Sequence, residues 1–182
     1  LEALQTADRM GLTISCDLNV RKKLWNYGRS VADVMLPLVQ YSDVIFGAEP
    51  EYKEVFDIAP VGFQAVETAY PLDLKGFETF GQKISHIVPR CRKVFLELRN
   101  TITSNHNLLA AVLYSGQTLK YTGIYDITHE VDRVGTGDAF VGGMIYGLLT
   151  YPDNDQKALE FALAASALKN TIYGDFNQVT VE

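Results

Sequence analysis

The residues best placed to do chemistry are Gly135-Thr136-Gly137-Asp138, which open onto the apolar, small-residue pattern Ala139, Phe140, Val141, Met144, Ile145 and Leu148. That pattern predicts a helix starting at the glycine turn, with its first-turn N–H groups unsatisfied and the positive end of its dipole facing outward. Two glycines let the backbone turn those N–H groups toward a common point, which makes an anion site with phosphate as the natural guest. A carboxylate at the same mouth would be repelled by the guest, so Asp138 points to proton handling. Phosphoryl transfer to a hydroxyl needs both parts: donors for the charge on the transferring phosphoryl and a base for the hydroxyl proton.

Two other glycine-turn chemistries do not fit. A dinucleotide fingerprint needs glycine where Phe140 stands and an acidic ribose partner after a following strand. A Walker-type loop needs Gly-Lys-Ser/Thr to close the turn, and none is present. On the turn alone, a plain capped turn with Asp138 favoured only by the dipole stands as an equal alternative.

The elements around the turn alternate strand and helix. Leu4, Ala7 and Met10 form a helical pattern stopped by Gly11, and Thr13 to Asp17 reads as a short buried strand leading to Asn19 and Arg21. Strand ends of this kind are where open α/β sheets bind ligands; an ordinary exit with a solvated Arg21 is the equal alternative. Ser30 caps a helix over Val31 to Gln40, with Pro37 in its last turn. Asp43 to Phe46 is a second strand, and a helix runs from Glu51 to Phe56, where Glu49 suits the first-turn dipole.

Pro60 to Lys75 reads as loop plus a short helix, Phe77 to Val88 as a helix ended by Pro89, and Lys93 to Leu98 as a third strand exiting into Arg99-Asn100-Thr101. Leu108 to Tyr121 forms a hairpin around Ser115-Gly116-Gln117, followed by an edge strand within Thr122 to His129. Asp153 and Asp155 are candidate caps for a last helix, Gln156 to Asn170. Its apolar face is Leu159, Phe161, Ala162, Leu163, Ala165 and Leu168, and Gln178 to Glu182 alternates like a terminal strand. The whole predicts an α/β fold with a mostly parallel sheet and an antiparallel hairpin at one side, in one domain.

A net charge of -6, with basic residues clustered only at Arg21-Lys22-Lys23 and Arg90-Cys91-Arg92-Lys93, argues against nucleic-acid binding. Cys16 and Cys91 form no CxxC pair and read as reduced, buried thiols. His86, His106 and His129 lack zinc spacing. No apolar run reaches membrane-spanning length and no signal-peptide layout is seen, so a cytoplasmic location is expected. The chain opens on Leu1-Glu2-Ala3-Leu4, already inside a helical pattern, which reads as a C-terminal portion of something longer.

Asp132-Arg133-Val134-Gly135-Thr136-Gly137-Asp138-Ala139-Phe140 with Gly142-Gly143 resembles the second signature of the ribokinase-like (PfkB) sugar kinases, D-T-x-G-A-G-D-x-F and a following glycine. Arg133 replaces its Thr and Thr136 its Ala. Asp17-Leu18-Asn19-Val20-Arg21 with Leu24-Trp25, and Ala165 to Lys169 leading to Gly174-Asp175-Phe176, are similar to the 2-keto-3-deoxygluconate kinase branch.

The resemblance implies a ribokinase-like layered fold, of which residues 1–182 are the C-terminal nucleotide-binding and catalytic part, without the N-terminal half and sugar lid. It implies ATP-dependent phosphorylation of the 6-hydroxyl of 2-keto-3-deoxygluconate, with Mg2+, by an enzyme that is a homo-oligomer at full length. Asp138 would be the base and Gly135, Thr136 and Gly137 the anion hole. Arg21 and Asp175 would meet substrate, and Asn19, Arg21, Arg99, Asn100 and Ala162 the nucleotide. Leu98 to Thr103 matches the nucleotide loop, though Arg99-Asn100-Thr101 replaces its glycines. Glu51 matches an acid tied indirectly to magnesium, with Ala48 in place of the accompanying Asn. A kinase for fructose or ribose, or a catalytically incomplete nucleotide-binding fragment, are the alternatives; the fragment by itself is expected to be inactive.

Overall fold

The computed structural model describes residues 1–59 and 72–181; most of the expected loop and short helix over Pro60 to Lys75 lies outside them. Among the described residues, six strands and six α-helices make a mixed α/β fold. The strand order is β1-β2-β3-β4-β5, with β6 paired to β4. Contacts divide the described residues into two compact units, the first of 1–59, 72–97 and 113–119, the second of 98–112 and 120–181.

In the first unit, β1 (Ser15–Asp17), β2 (Val44–Phe46) and the start of β3 (Lys93–Thr103) run parallel, with Cys16 opposite Ile45 and Ile45 opposite Val94. All three β2 residues are buried, as expected of a parallel strand covered on both faces. Phe46 stacks on Phe95 with ring centroids 4.8 Å apart. Tyr52 is fully buried, and its hydroxyl lies 2.6 Å from the Phe95 carbonyl oxygen, which satisfies the one polar atom of a ring otherwise in apolar surroundings.

The helices of this unit follow local signals. α1 (Glu2–Arg9) is followed by Gly11 at φ 68°. α2 (Val31–Val39) starts where the Ser30 side chain accepts from the Asp33 N–H at 3.1 Å. α3 (Glu49–Phe56) begins two residues before the predicted start, and α4 (Leu74–Ile87) stops before Pro89. Arg90 joins α1 to β2, donating to Asp8 and to both carboxylate oxygens of Asp43, while Asp43 also accepts from the Ile14 N–H at 2.9 Å.

In the second unit, β4 (His106–Ser115) pairs antiparallel with β6 (Tyr125–Ile127), Leu108 opposite Asp126. The hairpin from β4 to β5 (Thr118–Tyr121) turns within the first unit on two residues, Gly116 and Gln117, both at positive φ, and not on three. That conformation matches the right-handed twist of the flanking strands. α5 (Thr136–Thr150) and α6 (Asp155–Lys169) pack closely: a Cβ at Gly147 would lie 2.8 Å from the Ala158 Cα.

Several expectations are corrected. α6 is capped by Asn154, whose side chain accepts from the Lys157 N–H at 3.0 Å, and not by Asp153 or Asp155. Leu168 of its expected apolar face is 48% exposed. Arg99-Asn100-Thr101 continues β3 and is not a loop. Residues 178–181 form no strand, and Cys16 is only half-buried.

Candidate active site

The glycine turn sits at the start of α5 as its sequence predicts. Gly135, the N-cap, has φ 79°, a left-handed conformation that glycine adopts without steric cost. Ala139 makes the first intrahelical bond, donating to the Gly135 carbonyl at 2.9 Å. Among the described residues no acceptor takes the N–H of Gly135 or Gly137. The Thr136 N–H is different. It donates to the Arg133 carbonyl at 3.3 Å, so one of the three expected anion-hole donors is already engaged.

Asp138, on the first turn of α5, is exposed. With Gly135, Ala139, Tyr146, Phe161 and Asp175 it lines a groove of about 430 Å³ in the second unit. Tyr146 and Phe161 form its aromatic wall, with ring centroids 5.0 Å apart. The Asp138 carboxylate and Gly135 thus line one groove with these aromatic rings.

Asp132 holds the turn in register with Asp175. One of its oxygens accepts from the Val134 N–H at 3.0 Å and the other from the Gly174 N–H at 2.8 Å. These two bonds, with a smaller contribution from the Lys169 charge, keep its carboxyl below the usual carboxylate range. Lys169 is itself fully buried and donates to the Ile172 carbonyl at 2.8 Å. The Asn170 carbonyl accepts from the Val131 N–H at 2.8 Å. The segment after α6 is thereby bonded to the segment before α5 at several points.

Arg99 projects from β3 to the same helix start, donating from Nη2 to Thr136 Oγ1 at 2.8 Å, and Asn100 is the half-buried residue after it. Ala162 is fully buried, with its Cα against Gly143.

The remaining expected residues belong to the first unit. Asn19 is exposed at φ 35°, and Arg21, also exposed, precedes a single 3-10 turn over Lys22–Leu24. Glu51 uses both carboxylate oxygens on backbone donors, accepting from the Val20 N–H at 3.1 Å and the Ala48 N–H at 2.8 Å. It ties the loop after β1 to the start of α3. Among the described residues, no group of three or more His, Cys, Asp or Glu could hold a metal ion. No helix among them is long and apolar enough to cross a membrane.

Sequence reasoning did not single out Asp132, Lys169, or the polar group Asn107, Glu130 and Arg133. Asp132 carried a signal as the first residue of the quoted signature and Arg133 as a departure from it; Asn107 and Glu130 carried none, because they meet across 23 residues of chain.

The profile described as pfkB family carbohydrate kinase matches residues 108–178, which contain the glycine turn, Asp138 and Asp175. Residues 108–178 are thus pfkB-family sequence. It is 32% identical over 184 residues to a 2-dehydro-3-deoxygalactonokinase of Haloferax volcanii, a match that covers 98% of this chain and 48% of that protein. The crystal structure of a 2-dehydro-3-deoxygluconokinase from Thermotoga maritima superposes with a TM-score of 0.82 and 33% identity, covering 96% of this chain and 49% of that one. A PfkB family carbohydrate kinase from Listeria grayi gives a TM-score of 0.79 at 27% identity, covering 98% and 50%. The chain thus spans about half the length of the relatives it matches, and its sheet flanked by helices is the ribokinase-like fold that the sequence resemblance implied.

Proposed function

We propose that the protein containing this chain transfers the γ-phosphoryl group of ATP to the 6-hydroxyl of 2-keto-3-deoxygluconate, and that residues 1–182 are the nucleotide-binding and catalytic part of one ribokinase-like domain. One observation carries the chemistry: Asp138 shares a groove with Gly135 and Asp175 at a helix start whose glycine N–H groups have no acceptor among the described residues. The acceptor class rests on the similarity, at 32% and 33% identity, to kinases of 2-dehydro-3-deoxy sugar acids.

In this reading Asp138 accepts the proton of the attacking hydroxyl as its oxygen bonds to phosphorus and the bond to the ADP oxygen breaks. The N–H groups of Gly135 and Gly137, with the positive end of α5 behind them, hold the charge on the transferring group. Thr136 contributes through its hydroxyl rather than its N–H. Asp175, which reaches Gly135, orients acceptor hydroxyls at the mouth of the groove, and Arg99 and Asn100 flank the nucleotide side. Asn19 and Arg21 supply further polar contacts to nucleotide and substrate.

Mg2+ would neutralise the triphosphate when bound. The residues present fit an ion carried by phosphate oxygens and water rather than by a protein cage, since both Glu51 oxygens are taken by backbone N–H groups. Glu51 then acts on the ion only indirectly, by holding the Asn19–Arg21 loop.

The test is a panel of acceptors offered to the protein expressed from its full reading frame, with Asp138→Asn alongside. The expected outcome is preferred turnover of 2-keto-3-deoxygluconate, abolished in Asp138→Asn with nucleotide affinity within about 3-fold of wild type. Preference for fructose or ribose would reassign the acceptor, and full activity of Asp138→Asn would remove the base.

A further inference from the structure

Three places where this chain departs from the usual family pattern meet in space. Thr136 stands where the signature has Ala, Arg133 where it has Thr, and Arg99 where glycines are usual. Arg99 Nη2 donates to Thr136 Oγ1 at 2.8 Å, and that hydroxyl donates to the Arg133 carbonyl at 3.0 Å. The Arg133 guanidinium donates to Glu130 through Nε at 2.9 Å. Glu130 accepts in turn from the fully buried Asn107 at 2.6 Å, and Asn107 Oδ1 accepts from Thr101 Oγ1 at 2.8 Å. The series runs from β3 and β4 to the first residue of α5 and returns to β3 at Arg99.

We propose that Arg99 is a positioning residue for phosphoryl transfer that acts through Thr136, and that these two departures work as one unit. This rests on the kinase reading above. A Gly-x-Gly turn carries almost no side chain by which it can be held, so a grip on the residue between the glycines adds directly to the backbone bonds that fix its two open N–H groups. That residue is Thr136, 3% exposed, with its hydroxyl bonded on both sides. A hydrogen bond from a guanidinium in such a site is stronger and more directional than one at the surface. An alanine at 136 offers neither bond. The positive charge of Arg99 also adds to that of the helix start, so a phosphoryl group arriving there meets both.

A double-mutant cycle on the full-length protein tests this, with Arg99→Met, Thr136→Val and the pair together, and with Arg99→Lys and Thr136→Ser as conservative controls. Each of the two main substitutions is expected to lower kcat about 10-fold while sugar KM moves less than about 2-fold, and the pair to lose no more than the worse single change. Thr136→Ser, which keeps the hydroxyl, is expected to retain most of kcat, and Arg99→Lys to recover part of it. Losses that multiply in the pair, or a Thr136→Val enzyme with wild-type kcat, would overturn the proposal while leaving the kinase reading intact. A wild-type protein without kinase turnover would overturn both. Should Thr136→Val fail to fold, the comparison of Arg99→Met with Arg99→Lys, each alone and on Thr136→Ser, carries the same decision.

Discussion

Gly135 and Asp175 are in contact across 40 residues of chain: a Cβ added at Gly135 would lie 2.8 Å from Asp175 Oδ1 and closer still to the Asp175 carbonyl oxygen. The glycine is therefore required twice, by its φ of 79° and by the backbone it faces. Gly135→Ala is expected to destabilise the protein by about 1–3 kcal/mol and to lower kcat at least about 10-fold. Because the obstruction includes a carbonyl, Asp175→Ala should not rescue it. Urea midpoints and steady-state rates of the single and double variants check both statements.

Asp132 gives the same junction a pH dependence. Hydrogen bonds from the Val134 and Gly174 N–H groups hold its carboxyl below the 3.8 of an ordinary aspartate. Burial pushes Asp43 up, but its bonds from Arg90 and the Ile14 N–H outweigh that and leave it lowered as well. A carboxyl depressed in the folded state adds stability that is present above the unfolded value and lost as pH falls through the folded one. Thermal midpoints should thus be level above about pH 5 and fall below about pH 4. Asp132→Asn should lower the midpoint at pH 7 and flatten part of that fall.

Glu51 is a brace before it is anything else. Glu51→Ala strands the Val20 and Ala48 N–H groups and should cost about 1–3 kcal/mol of stability. Glu51→Gln retains one acceptor oxygen and should cost less. The expected Mg2+ dependence of the rate in Glu51→Gln is close to that of wild type; a large rise in the Mg2+ needed for half-maximal rate, with stability unchanged, would give the side chain a direct metal role instead.

Neither cysteine is poised to react. Burial pushes the Cys91 thiol up to about 12, and burial together with the Asp17 charge raises that of Cys16. Iodoacetamide at pH 8 should label neither in the folded protein within the time that modifies both in urea, as read by mass spectrometry of the intact chain.

The sequence was most legible where a local signal coincides with the final environment. Gly11, Ser30 and Pro89 mark helix ends that the structure keeps, because capping and chain-stop effects need only neighbouring residues. The β-branched and aromatic run Lys93 to Leu98 is strand for the same reason. The Gly135-Thr136-Gly137-Asp138 turn was legible as a helix start, since glycine freedom and the helix dipole are properties of that stretch alone, but the bond that engages the Thr136 N–H was not.

What depended on distant partners was not legible. Arg99-Asn100-Thr101 looks like an exit from a strand by its polarity, yet β3 continues through it and Thr101 finds an acceptor on Asn107. Between Asp153, Asn154 and Asp155 residue type offers no choice of cap; the path of the chain into α6 makes it Asn154. Glu51 reads as a first-turn acid, and only the fold brings the Val20 N–H to its second oxygen. The sequence by itself thus determined the start of α5, a glycine turn with a carboxylate in its first helical turn, on which the proposed anion site rests. Tertiary structure decided how that turn is held, through Asp132 on Gly174 and Arg99 on Thr136, because hydrogen bonds between residues tens of positions apart exist only once folding has brought their donors and acceptors within 3 Å of each other.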